Sequence, residues 1–596
     1  MNRYQSPLSD LRFVIHQVLD AGSVLANLPA HAQTDRDTID AVLEEGARFC
    51  DEILAPLYQP GDKGCIYRDR EVTTPPGFKK AYDAFVDGGW SAITAPPHEN
   101  GQGLPYVVDG AFKEMVDGAN VAWGTFPMLG HGAVEALRHH GEDWQRDVFL
   151  APLVDGRWTG TMCLTEPHCG TDLGLLKTRA DPFGDGQFRI TGQKIFITAG
   201  EHDLTDNILH LVLARLPDAP PGVKGISLFV VPKFKVARDG SVGGRNALHC
   251  GSIEHKMGLH GSATCVMNFD GAEGYLVGQP HKGLMAMFTM MNSARLGVGI
   301  QGLGLIERAW QNALPYALDR LQMRAPGAPR YPDKPADPLI VHPDVRRMLL
   351  TCRAFAEGGR VLSLYAMLKA DIAAHSESQD ERRDADTVVD FLTPIVKGVL
   401  TEASVECAYH AQQVFGGHGY IAEWGMEQIA RDARITTIYE GTTQIQALDL
   451  IGRKTLLADG AGLKLLLAEI GSFCRIEAEN EALVDLLPAL TDRAEQWASL
   501  TRRIAESAAA NPATAAAAAY DYLFYSGYVA LAWCWALRVA AAERGDVSDA
   551  FRRAQRETAQ FYFARILPRA DYHAACIEAG PGTLMDLADG DFSATA

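Results

Sequence analysis

The chain has no CxxC pair, no apolar run long enough to cross a bilayer and no excess of basic residues, and each absence removes a class of function. Its eleven cysteines are scattered and odd in number, so they cannot all pair within one chain; they read as buried or free thiols of a reducing compartment. Cys163, His168 and Cys169 lie close together, but no second ligand pair stands at metal spacing, so structural thiols and no metal are expected. The longest uncharged apolar stretch, Tyr522 to Leu537, falls short of the ~20 residues a membrane span needs. It reads as a buried bundle helix; attachment to a membrane surface is the lesser alternative, raised by its Tyr and Trp residues and the Arg538 that follows. A formal net charge of −19 argues against nucleic acid as a partner, because that role needs a dense Lys/Arg surface. It leaves room for a small anionic ligand in a locally positive pocket. The opening MNRYQSPLSDLRFVIHQVLD has one early Arg and acids within its apolar stretch, which does not suit a secretion signal, so the cytoplasm is the expected compartment.

What is present is enough apolar residue, 47% of 596, to fill several cores. From about Leu11 to Leu153 apolar residues such as Ile39, Val42, Leu43 and Phe49 recur at three and four, which predicts a helical domain over 1–158. The segments FRITGQKIFIT, ILHLVLARL, GISLFVVPKFKV and ATCVMNFD are short and rich in β-branched and aromatic residues, and predict an antiparallel β domain over 159–280. The helical period returns after Pro280 and predicts a bundle over 281–457, interrupted by a Pro-rich insertion, 324–341. There Pro326, Pro329, Pro332, Pro335 and Pro338 fall every third residue, a spacing that favours an extended polyproline II loop between two bundle helices. The Ala- and Leu-rich remainder, 458–596, predicts an additional helical domain, so the fold class is mainly α with a central β domain.

Gly297, Gly299 and Gly302 fit the dinucleotide pattern GxGxxG, but MFTMMNSARL before them is helical in period, and no strand precedes them. Close helix packing accounts for them better. A second signal pairs MCLTEPHCGTDLGLLKTRA (Met162 to Ala180) with GQKIFITAG (Gly192 to Gly200), where Phe196 and Thr198 are expected on one strand face. An aromatic ring beside alternating hydroxyls and backbone donors suits a flat heteroaromatic ligand with polar edges; taken alone, the two segments are only a turn and a strand. The third signal is AQQVFGGHGY (Ala411 to Tyr420) followed by ARDARITTIYEGTTQIQALDLIGRK (Ala430 to Lys454).

With these motifs in this order the chain resembles the acyl-CoA dehydrogenase family: TEPHCGTD is similar to its TEPxAGSD signature, GQKIFITAG to its GQKxxITNG strand, and RDARITTIYEGTTQIQ to its RDxxxxxIYEGTxxIQ segment. The resemblance implies a helical N-domain, a central antiparallel β domain and a four-helix bundle, with FAD in the cleft and partly covered by a neighbouring subunit of a homodimer or homotetramer. It implies flavin contacts at Met162, Leu164, Thr165, Thr171, Phe196, Thr198, Thr442 and Gln444, and contacts to the partner's flavin at Arg320, Gln413, Gly416 and Gly417. Glu440 matches the base that removes the α-proton of an acyl-CoA. The alternative base position, immediately before Arg295, holds Ala294, and Arg295 and Gly441 match acyl-CoA positions. FAD N5 would accept the β-hydride to give a trans-2-enoyl-CoA, and electrons would pass to an electron-transfer flavoprotein.

Departures from the family pattern are Cys169-Gly170-Thr171 for Ala-Gly-Ser, Phe196 for the frequent Trp and Ala199 for the usual Asn. The Pro-rich insertion, the additional carboxy-terminal helices and the opening segment resemble a larger bacterial subgroup that includes 3-methylmercaptopropionyl-CoA dehydrogenases. Substrates from that thioether to short or long acyl-CoAs follow from the resemblance. An acyl-CoA oxidase, which passes electrons to oxygen, is the nearest alternative, although the ending FSATA is not an SKL-like peroxisomal address. A non-catalytic relative that binds nucleic acid is opposed by the acidic balance and by Glu440. A glutamate base works best with its pKa near the working pH. Thr442 or Thr443 is expected to cap the helix that follows and so to favour the ionised form, which leaves burial by substrate as the source of any rise.

Overall fold

The computed structural model describes residues 3–184 and 186–593, which divide into two compact units. One comprises Glu45–Leu104 and Met115–Gly297; the other takes the residues up to Glu44, Pro105–Glu114 and everything from Val298 on. The principal helices before the sheet are α1 (Leu8–Phe13), α2 (Arg36–Phe49), α3 (Phe78–Asp87), α4 (Tyr106–His140) and α5 (Asp143–Val154). A small hairpin, β1 (Ile66–Arg68) and β2 (Glu71–Thr73), interrupts this otherwise helical region. Its turn places Asp69 and Arg70 both at positive φ, so it forms without the Asn-Gly signal that marks such turns in a sequence.

The first unit is built on a seven-stranded sheet of β3 (Trp158–Cys163), β4 (Arg179–Gly184), β5 (Gln187–Thr198), β6 (Asn207–Arg215), β7 (Ile226–Pro232), β10 (Leu248–Ile253) and β11 (Thr264–Val277). The short strands β8 (Phe234–Val236) and β9 (Val242–Arg245) form a separate hairpin. The order is β10-β11-β5-β4-β6-β3, with β7 paired to both β11 and β6. The expectation of a wholly antiparallel domain is corrected at one edge: β3 runs parallel to β6 from Trp158↔Asn207 to Cys163↔Val212, and β4 meets β6 in parallel at Arg179↔Arg215. The β4–β5 hairpin lies between β3 and β6 in sequence and supplies the long crossover that a parallel pair requires. Every residue of β3 and β7 is buried, so these strands lack the alternation of a half-exposed sheet.

The second unit is helical. Its bundle consists of α6 (Gly283–Asp319, from Val298), α7 (Pro343–His375), α8 (Gln379–Phe415), α9 (Met426–Thr436) and α10 (Thr443–Leu448), the last prolonged by a π-helical segment to Leu456. The same unit contains α11 (Ala461–Ile476), α12 (Leu487–Ala510), α13 (Ala513–Arg544), α14 (Asp549–Phe561) and α15 (Arg569–Ala579). The apolar stretch from Tyr522 lies within α13, which, contrary to the expectation from the uncharged run alone, is long and apolar enough to cross a membrane, but its most apolar window is 94% buried, as in the core helix of a soluble fold. The Trp535 indole on α13 donates to the Ala354 carbonyl on α7 at 3.0 Å, tying the additional helices to the bundle. Gly299 and Gly302 sit inside α6, where a Cβ would press on the α8 backbone at Val396 and Leu400. These glycines therefore permit close helix packing, not phosphate binding.

The Pro-rich insertion is not an extended rod. Gln322 N–H donates to the Asp337 carbonyl (2.9 Å) and Asp337 N–H to the Met323 carbonyl (2.8 Å), so the segment closes on itself at its stem. The fully buried Asp337 carboxylate accepts the N–H groups of Ala325 (2.8 Å), Arg330 (3.2 Å) and Tyr331 (2.8 Å). One acid at the loop's centre overrides the local preference of the prolines.

Candidate functional site

In the β unit, the strand end of β3 delivers buried Met162, half-buried Leu164 and Thr165, and exposed Thr171. Their turn is fastened to β5: Ile195 N–H donates to the Thr165 carbonyl at 2.9 Å, and the Lys194 ammonium donates to the Leu164 carbonyl at 2.9 Å. The register of β5 against β11 slips between Cys265 and Met267, so Ile195 and Phe196 form a β-bulge opposite Val266, and Phe196 takes φ +59°. A bulge re-aims a side chain. Phe196 is 59% exposed, unusual for a phenylalanine, with half-buried Thr198 two residues on. The next residue, Ala199, is fully buried at φ +54°, a conformation in which Asn is less strained than Ala.

Sequence reasoning named both motifs but missed what joins them. Glu166, buried in the TEP turn, accepts hydrogen bonds from Lys194 Nζ (2.9 Å), Lys177 N–H (2.8 Å) and Thr178 N–H (2.9 Å). Burial opposes its ionisation, but Lys194 and those hydrogen bonds outweigh it and hold the carboxyl below its ordinary value. Burial also draws the Lys194 ammonium below its ordinary value. The acid of one motif and the lysine of the other were the available signal. Glu166, His168 and Cys169 lie close enough together to invite a metal reading, but the carboxylate is committed to Lys194 and His168 Nε2 is 2.9 Å from the Leu175 carbonyl oxygen. Burial pushes the Cys163 thiol up to about 12, in keeping with a structural cysteine.

The helical unit gathers a second group. Tyr316 on α6 stacks on Phe415 at the end of α8 (ring centroids 3.9 Å apart), and its hydroxyl lies 2.9 Å from His418 Nδ1. This packing brings exposed Arg320, one turn beyond Tyr316, to the same end of the bundle as exposed Gln413, Gly416 and Gly417. Among the described residues, chain neighbours aside, no atom lies within 4 Å of where a Cβ would stand on either glycine, and Gly416 is at φ +59°. His418 stacks on Trp424 at 4.5 Å and is part of this packing. An exposed aromatic ring beside hydroxyls in one unit, and bare glycine backbone beside Gln and Arg in the other, both fit a flavin dinucleotide with its flat ring and polar edges.

The third group surrounds Glu440. It is half-buried at φ +56° and is followed by Gly441 at φ +95°, so two successive left-handed residues reverse the chain between α9 and α10. Thr442 is the cap of α10: its hydroxyl accepts from Ile445 N–H at 3.3 Å. Thr443 is buried and donates to Glu402 at 2.5 Å, while Gln444 is exposed. Buried Gln446 donates its amide to the Glu440 carbonyl at 3.1 Å. The Tyr439 hydroxyl donates to Gln301 at 2.6 Å, and the fully buried Lys397 ammonium donates to the Gly441 carbonyl at 2.7 Å. None of Gln301, Lys397, Glu402 and Gln446 was singled out from sequence, because their partners come from other helices or from backbone atoms. Arg295 belongs to the β unit, where it is buried with its guanidinium 5.9 Å from the Phe288 ring; Ala294 beside it is buried too.

Comparison with known proteins identifies the family to which the fold belongs. Family models match in chain order: the acyl-CoA dehydrogenase N-terminal domain over residues 36–157, middle domain over 161–272, C-terminal domain over 281–456, and an acetyl-CoA dehydrogenase C-terminal-like domain over 466–588. The chain is 43% identical to the 3-methylmercaptopropionyl-CoA dehydrogenase of Ruegeria pomeroyi, across 95% of this chain and 96% of that one. It is 33% identical to a broad-specificity linear acyl-CoA dehydrogenase of Mycobacterium tuberculosis, across 99% of this chain and 100% of that one. Among solved structures, Caenorhabditis elegans ACDH-11 in complex with C11-CoA shares the fold with a TM-score of 0.79 at 18% identity, covering 99% of this chain and 96% of its own. By the ordered domain matches and near-full-length identity, this chain belongs to the acyl-CoA dehydrogenase family of FAD-dependent oxidoreductases.

Proposed function

We propose that the chain dehydrogenates 3-methylmercaptopropionyl-CoA to the corresponding trans-2-enoyl-CoA, with Glu440 as the base that removes the α-proton. The observation that carries the substrate is the 43% identity, over nearly the full length of both chains, to the Ruegeria enzyme of that name. The linear acyl-CoA dehydrogenase relative makes straight-chain acyl-CoAs of fatty acid β-oxidation the next class to test.

An α-carbon proton beside a thioester is weakly acidic, so the base needs a fixed position and the developing enolate oxygen needs a preorganised donor. Glu440 can supply both, its carboxylate as base and its backbone N–H as donor. The loop is fixed by Gln446, Lys397, Gln301 and the Thr442 cap. Met162, Leu164, Thr165, Thr171, Phe196, Thr198, Thr442 and Gln444 would hold the protein's own FAD, which when bound supplies the acceptor for the β-hydride. Arg320, Gln413, Gly416 and Gly417 would reach the flavin of a second subunit in a homodimer or homotetramer; their exposure on an open bundle end supports that reading. Arg295 and Gly441 are assigned to the acyl-CoA. An electron-transfer flavoprotein is the proposed acceptor and the cytoplasm the proposed compartment.

Anaerobic flavin bleaching with a panel of thioesters tests the substrate. Fastest reduction by 3-methylmercaptopropionyl-CoA is expected. Faster reduction by butyryl-CoA or longer linear acyl-CoAs would move the assignment to the straight-chain class.

A further inference from the structure

Lys397 lies in the middle of α8 with no exposed surface, although an ammonium is among the costliest groups to bury. It donates at 2.7 Å to the carbonyl of Gly441, the residue directly after Glu440. Around this contact Glu440, a non-glycine residue, sits at φ +56°, a conformation that persists only where the surroundings determine it, and Gly441 follows at φ +95°, which glycine adopts freely. Gln446 approaches the Glu440 carbonyl at 3.1 Å and the Gly441 carbonyl at 3.5 Å, while Glu402, one turn further along α8, accepts from the Thr443 hydroxyl at 2.5 Å.

We propose that Lys397 is a positioning residue for Glu440: its buried ammonium, bound to the Gly441 carbonyl, holds the left-handed turn that sets the carboxylate and backbone N–H of Glu440. The proposal rests on Glu440 being the base. A charge-assisted hydrogen bond is about twice as strong as a neutral one, which suits a contact that must hold a strained turn. The same lysine would be a poor choice for stability alone. Lys397→Met fills a similar volume but leaves the Gly441 carbonyl without this donor, so FAD content and folding are measured beside the rate, and Lys397→Gln, which keeps a donor, is the milder change.

The test compares Lys397→Met, Lys397→Gln and Glu440→Gln in anaerobic stopped-flow flavin reduction, with α-protiated and α-deuterated acyl-CoA. Displacing a catalytic group by about 1 Å costs on the order of 100-fold, so Lys397→Met is expected to lose 10- to 100-fold in flavin-reduction rate. Its KM should stay within about twofold, because only the transition state feels the displacement. Its isotope effect should grow as proton abstraction becomes more fully rate-limiting. Lys397→Gln, which keeps an N–H donor, should recover part of the rate. Glu440→Gln should be inactive with FAD retained. Wild-type rates in both Lys397 variants with an inactive Glu440→Gln would overturn the positioning role alone. Parallel loss of FAD, KM and rate in both lysine variants would make Lys397 merely structural and also overturn it. An active Glu440→Gln would overturn the base assignment and the proposal together.

Discussion

Gly302→Ala should destabilise the helical unit, whereas Gly297→Ala, five residues earlier on the same helix, should not. A Cβ at Gly302 would stand 2.9 Å from the Leu400 carbonyl oxygen and 3.0 Å from the Thr401 nitrogen, backbone atoms of α8 that cannot rotate away. At Gly297 the nearest atom is the Met128 sulfur at 3.6 Å, an ordinary contact. Alanine gains about 1 kcal/mol over glycine at either helical position. Overpacking at Gly302 costs roughly 1–3 kcal/mol, leaving the two variants about 2 kcal/mol apart. At about 2 °C per kcal/mol for a large domain, Gly302→Ala should melt about 4 °C below Gly297→Ala by differential scanning calorimetry of the FAD-loaded protein. The same push falls on the stretch of α8 just after Lys397, so flavin reduction should slow in Gly302→Ala and not in Gly297→Ala. Equal shifts of the same sign would refute the packing argument and reopen the question of what these glycines do.

Two further perturbations follow from the buried groups. Asp10, Glu114 and Glu307 pair with Arg360, and Asp10 and Glu357 pair with Arg538, while Glu357 also meets Arg353. Burial lifts Glu114 to about 7 against the pull of Arg360, so the folded protein holds this proton more tightly than the unfolded chain. Ionising Glu114 therefore erodes stability as pH rises from 4.5 through about 7, and Glu114→Gln should flatten the melting temperature over that interval. An unchanged slope would contradict it. Asp10, brought to about 2 because Arg538 and Arg360 outweigh its burial, has the opposite sign: its contribution is present above 3.8 and disappears towards pH 2. In the β unit, Ala199→Gly should raise stability by up to about 1 kcal/mol by relieving a left-handed alanine, and a lower melting temperature would show that the methyl group's packing matters more.

The order of helical, β and helical segments was legible because apolar period is a local property, and the Glu440 turn because its motif is contiguous. What escaped the sequence was decided by partners distant along the chain. The parallel placement of β3 beside β6 depends on where an intervening hairpin goes. The Pro-rich insertion reads as polyproline, yet the single carboxylate of Asp337 gathers three backbone donors and curls it into a closed loop. Phe196 was found as an aromatic in a strand, while the bulge that exposes it arises from pairing with β11. The supports of the site, Lys194 for Glu166 and Lys397 for Gly441, are lysines whose role appears only when the carboxylate or carbonyl they meet is in view.

The central claim is that Glu440 removes the α-proton while FAD supplies the acceptor, and Glu440→Gln tests it most directly. Glutamine keeps the size of the side chain and leaves the cap and backbone hydrogen bonds of the loop in place. The account predicts a variant with wild-type FAD content that still binds acyl-CoA but shows no anaerobic flavin bleaching on the wild-type timescale. Bleaching at the wild-type rate, with FAD retained, would contradict it.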